Sequence, residues 1–249
     1  MKKLFLFSII ALGFTTLQAQ GLKGILPKQT SGDSKTTGIG SVLKNATKTG
    51  LSNDEIVAGL KEALSVGSNK AAEKVSVTDG FFKDAAIKIL MPEEAKKVEQ
   101  KLRAIGMGKQ VDNAILAMNR AAEDAAKSAS PIFVNAVKGM SFSDALAILK
   151  GNNDAATVYL KDKTSNPLAD AFRPVIEQSL EKVNATKYWN TVFTTYNKFS
   201  AEQVNTDLNA FVTEKALAGI FHQLAQEEAS IRKNPAARTT EILKKVFGN

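Results

Sequence analysis

Cysteine is absent from this 249-residue chain, and histidine and tryptophan each occur once. Without a thiol there is no thiolate nucleophile, no disulfide framework, no zinc-finger or iron–sulfur spacing, and no acceptor for a lipoprotein lipid. One imidazole, His222, excludes every two-histidine metal motif, and a serine triad built on it lacks a G-x-S-x-G elbow. There is no Walker loop and no G-x-G-x-x-G. Gly38-Ile39-Gly40 and Gly106-Met107-Gly108 are lone glycine pairs. Gly151-Asn152-Asn153-Asp154 lacks the further acids and the closing glutamate of a calcium loop, and reads as a helix stop followed by an N-cap. No metal and no cofactor is predicted.

The balance that is present, 44% hydrophobic and 23% charged residues, is that of a globular protein. Residues 1–19 read as a cleaved signal peptide: Lys2 and Lys3 precede an apolar run from Leu4 to Leu17, and Ala19 offers a small residue at the cut. The mature chain is then Gln20–Asn249, periplasmic or secreted. Nothing after the signal approaches the ~18 consecutive apolar residues of a membrane span, so no transmembrane helix is predicted in it. The net charge of +8 is unevenly placed. Residues 20–50 carry Lys23, Lys28, Lys35, Lys44 and Lys48 against Asp33 alone, amid Gly, Ser and Thr, the composition of a flexible basic linker. Residues 51–249 hold 26 Lys and Arg against 24 Asp and Glu, too even a balance for a nucleic-acid groove.

From residue 51 to 249 the signals predict a single all-α domain of about eight to ten helices. Ser52 with Glu55 and Ser141 with Asp144 are capping boxes. Pro92 pushes Met91 out of the helical region, so Ile87–Met91 reads as an extended connector, with helix resuming at Glu93. Val111, Ile115, Met118, Ala122, Ala125 and Ala129 stripe a long helix that Pro131 ends or kinks. A short helix stops at Gly151, whose missing Cβ suits a left-handed terminal residue. Asn166-Pro167 reads as a fresh helix start, Ser200 with Gln203 as a further cap, and about Thr206–Arg232 as the last long helix. Asn234-Pro235 opens a final helix that closes near Phe247.

Two features carry functional content. Tyr188, Trp189, Val192, Phe193, Tyr196 and Phe199 form an aromatic stripe, the material of a core, or else of an apolar ligand cleft or a membrane-interface contact. Glu228 falls on the apolar stripe of Leu217, Phe221, Leu224 and Ile231, with Arg232 one turn on as its partner. As a simple buried ion pair, the two could be exchanged together for apolar residues with little loss. By spacing alone Asn119, Arg120, Glu123 and Asp124 make a solvated face opposite their helix's alanine stripe.

Three stretches resemble a family of exported bacterial proteins, domain of unknown function 4197. They are Asn119-Arg120-Ala121-Ala122-Glu123 with Ala125; Gly151 with Ala156-Thr157-x-Tyr159-Leu160; and Glu228-x-x-Ile231-Arg232-x-Asn234-Pro235-x-x-Arg238-Thr239-Thr240 ahead of Leu243–Gly248. The likeness spans roughly residues 37–248 and implies a helical exported protein, but no activity. It raises Arg120 and Glu123, beside Glu228 and Arg232, to candidate binding residues. The function expected is a non-enzymatic binding or interaction module of the cell envelope, taking an apolar or anionic small molecule or an envelope component. The alternative is a metal-free hydrolase or transferase working through carboxylates such as Glu123 and Glu228.

Overall fold

The computed structural model describes residues 52–233 apart from 202 and 205. The signal peptide, the basic linker and the helix expected after Asn234 lie outside them. Among the described residues eight α-helices and no strand are present: α1 (Asn53–Ser76), α2 (Lys96–Ala104), α3 (Gly108–Ala126), α4 (Ala129–Lys138), α5 (Phe142–Lys150), α6 (Ala155–Lys182), α7 (Ala185–Asn197) and α8 (Leu208–Lys233). A 3-10 turn, Glu93–Ala95, leads into α2.

Local chemistry sets most of these boundaries. Ser52 and Ser141 both complete their capping boxes: each hydroxyl accepts the N3 amide while the N3 carboxylate accepts the cap's own N–H. The alanines that end α3 and begin α4, from Ala121 to Ala129, are fully buried where they face inward, so neighbouring backbones come close. Leu160, Thr164, Leu168, Phe172, Ile176 and Leu180 bury one continuous row of α6 at every fourth residue. α6 packs on α3, α4 and α8, and α1 packs on α8 and α4, with Phe81, Phe133 and Phe172 among the largest side chains fully enclosed between them. A core of this kind positions the chain's interior rigidly, because close-packed side chains cannot shift independently.

Four expectations about the helices need correction. The long helix striped from Val111 ends at Ala126, Ala129 opens the next one, and Pro131 stands in the first turn of α4 instead of closing the helix before it. α6 runs straight through Pro167 and Pro174 instead of starting at Pro167. Both prolines lie on the exposed side, where water can bond the carbonyls they leave without a donor. Gly151 is not left-handed: its φ is −79°. It is glycine because a Cβ there would stand 2.6 Å from Ala155 Cβ and 2.9 Å from the Ala147 carbonyl. Ser200 and Gln203 lie in non-helical chain, and α8 begins at Leu208. The connector before Pro92 is non-helical as expected, and burial alternates along it: Ile87, Ile89 and Met91 are buried, Leu90 is exposed and Lys88 partly so. That period of two is the mark of extended chain.

Candidate functional site

Glu228 and Arg232 meet as the spacing requires, yet the pair does more than neutralise itself. Glu228 Oε1 accepts from Arg232 Nε at 2.9 Å and Nη2 at 2.7 Å, and from the Ala156 amide at 3.1 Å. Its Oε2 accepts from the Thr157 amide at 2.8 Å and the Thr157 hydroxyl at 2.7 Å. Ala156 and Thr157 hold the second and third positions of α6, whose own cap residue, Asp154, makes no side-chain capping bond. Glu228 therefore caps α6 from another helix, supplying negative charge at its positive end. Arg232 Nη2 reaches the Ile148 carbonyl (3.4 Å) near the C-terminal end of α5, where a cation suits the dipole. Five donors saturate the carboxylate. The void beside it holds only about 20 Å³, room for a single water and no ligand.

The Arg120–Glu123 group repeats the device around a turn. Asn119 and Glu123 are not solvated: they are 0% and 3% exposed, because chain from the 79–91 segment folds over the side of α3 that bears them. Glu123 Oε1 accepts the consecutive amides of Phe81 (3.1 Å) and Phe82 (3.2 Å), and its Oε2 takes Arg120 Nη1 at 2.6 Å. Arg120 Nη2 bonds Asp79 at 2.6 Å. Asp79 stands at φ +72°, a left-handed conformation that costs a side-chain-bearing residue energy unless its surroundings hold it. Lys83 and then Arg120 donate to its carboxylate and hold it below the usual range, while Glu123 and then Asp79 raise the Arg120 guanidinium. Next to this turn Phe81 is driven into the core over Gly219, where a Cβ would stand 2.3 Å from its ring. Asn119 clamps the extended segment itself: its Oδ1 accepts the Ile89 amide (2.9 Å) and its Nδ2 donates to the Ile89 carbonyl (2.8 Å).

Glu123, Glu228 and Arg232 thus bond backbone directly, while Arg120 ties the carboxylates of Glu123 and Asp79; the four lie in two separate places. What opens to solvent is a cleft of about 700 Å³ between the chain from Ala86 to Glu94 and the N-terminal half of α8. Its volume is within the range of small-ligand pockets. Trp189, buried at one wall and stacked against Phe211 (ring centroids 6.3 Å), gives it an aromatic face. His222, exposed, and the charged side chains of Lys88, Glu93, Glu94, Glu214 and Lys215 line the rest. The aromatic stripe is accordingly divided: Trp189 and Phe193 are buried, while Tyr188 and Phe199 are exposed by 66% and 88%. Sequence periodicity could find Trp189 but not the cleft, which joins segments more than a hundred residues apart. The local signal for the folded-over turn was Asp79-Gly80 followed by paired phenylalanines.

Among the described residues no cluster of three or more His, Asp or Glu could hold a metal ion, and no single helix is long and apolar enough to cross a membrane. Residues 50–248 match the model of a family described as protein of unknown function (DUF4197), and the chain belongs to that family. No curated protein and no solved structure matches it.

Proposed function

We propose that this member of the family is an exported, non-enzymatic binding module of the cell envelope whose binding site is the cleft between Ala86–Glu94 and α8. The observation that carries the reading is a contrast. The buried carboxylates of Glu123 and Glu228 spend their oxygens on backbone amides and arginine, whereas the cleft presents an aromatic wall with charged groups at its mouth. Carboxylate catalysis requires an acid or base within reach of substrate, and neither of those two faces open space. Export rests on the Lys2-Lys3 and Leu4–Leu17 signal pattern.

Trp189, the chain's one tryptophan, reports on the cleft directly. Protein purified natively from the periplasm should begin at Gln20 and carry a bound species by mass spectrometry. Stripping that species and adding it back should change Trp189 emission. Ala218→Trp, which places a bulky ring at an exposed lining position, should abolish retention of the species by mass spectrometry without lowering Tm. Retention of the species by Ala218→Trp would refute the assignment of the cleft, and full-length protein confined to the cytoplasm would refute export.

A further inference from the structure

The segment from Lys88 to Pro92 offers more than side chains. Extended backbone turns the N–H and C=O of successive residues to opposite sides. Asn119 on α3 takes both groups of Ile89. The N–H and C=O of Leu90 therefore point away from α3, and they have no partner among the described residues. Leu90 lines the cleft and is 55% exposed. An exposed hydrophobic residue with an unpaired donor and acceptor on extended chain is a strand edge awaiting a second strand.

Resting on the cleft as the binding site, we infer that its occupant is an extended polypeptide segment of a partner protein, which pairs with Leu90 as an added antiparallel strand. In antiparallel pairing one partner residue exchanges both hydrogen bonds with Leu90, which parallel pairing does not allow. Alternate side chains of the occupant then face Trp189 and Phe211 and are apolar, while the others face solvent. Charge sets the direction. Glu93 and Glu94 stand at the C-terminal end of the segment, and the Glu94 carboxylate has no cationic partner among the described residues. An antiparallel occupant lays its N-terminal half there, so that half carries a lysine or arginine.

The test uses full-length mature protein and synthetic octapeptides of alternating valine and threonine, with lysine at the second position, at the seventh, or absent. Binding is read by Trp189 emission. The lysine-2 peptide should bind tightest, and its binding should protect the Leu90 amide from hydrogen exchange. Leu90→Pro deletes that amide at a position where no internal hydrogen bond is lost, so Tm should hold while affinity falls about tenfold, the worth of one hydrogen bond. Glu94→Gln should weaken only the lysine-2 peptide. The pairing is overturned if no peptide binds, if Leu90→Pro binds as wild type, or if the Leu90 amide stays unprotected. In any of those cases Ala218→Trp still decides the cleft on its own, through the co-purified species. A second copy of this chain as occupant is a separate outcome that also overturns the proposal: light scattering would show a dimer that Leu90→Pro dissociates.

Discussion

Two regions of this molecule solve one problem with the same pair of residue types. At Glu228–Arg232 and at Glu123–Arg120, a glutamate and an arginine one turn apart on a helix capture two consecutive backbone amides from a distant part of the chain. The settings differ. Glu228 caps a 28-residue helix and its arginine is 11% exposed, whereas Glu123 holds a short turn and its arginine is 36% exposed. The comparison teaches that an arginine's worth to a buried carboxylate depends on how dry both are, and that in each place the amides, more than the charge pair, explain why the glutamate is there.

The largest effect is expected where the pair is driest. Arg232→Met leaves a buried carboxylate with only amide and hydroxyl donors and should cost about 3 kcal/mol, the lower end for a broken buried pair because those donors remain. Thermal unfolding should shift down by roughly 6–12 °C, at ~2–4 °C per kcal/mol for a chain of this size. The simple ion-pair reading expects Glu228→Leu with Arg232→Met to recover that loss. The structure expects no recovery, since the double variant strands the Ala156 and Thr157 amides at the head of α6. A Tm for the double variant near wild type would break the comparison at its root.

Glu123→Ala should rank next, at about 2 kcal/mol, because it frees the Phe81 and Phe82 amides, one of them fully buried. Arg120→Met should cost only about 1 kcal/mol, since that side chain is already part-solvated. Hydrogen exchange should show the damage confined to the turn around residues 79–82. If Arg120→Met proves as costly as Arg232→Met, dryness is not what separates the two regions.

How much of this was legible follows from the range of each signal. The capping boxes, the non-helical chain before Pro92 and the reach of Arg232 to Glu228 all depend on residues three to five apart, and each stands as read. The solvated face assigned to Asn119 and Glu123 failed because their partners lie 30 to 42 residues away, on chain that folds back over α3. A stripe on one side of a helix says nothing about what covers the other. Pro167 misled for a related reason: an interior proline removes a donor and crowds the carbonyl one turn back, a cost that falls where water can reach that carbonyl, and exposure is a property of the packed molecule.

The smallest expected effect is on pH dependence. The Asp79 carboxyl titrates below its ordinary value because Lys83 and Arg120 donate to it, so folding binds its proton less tightly than unfolded chain does. Its contribution is then complete above about pH 4 and is lost as pH falls through the lowered folded value. Asp79→Asn should leave stability at pH 7 slightly reduced and should flatten the acid limb of the denaturation profile. An acid limb that keeps its full slope in Asp79→Asn would place the responsible carboxylate elsewhere.

The central claim is that the glutamate–arginine pairs hold the fold while the cleft beside Trp189 does the binding. Native mass spectrometry of wild type, Arg120→Met and Ala218→Trp, each purified from the periplasm, tests it most directly. The account predicts a bound mass on wild type and Arg120→Met and none on Ala218→Trp. A bound mass that survives Ala218→Trp but disappears with Arg120→Met would contradict it.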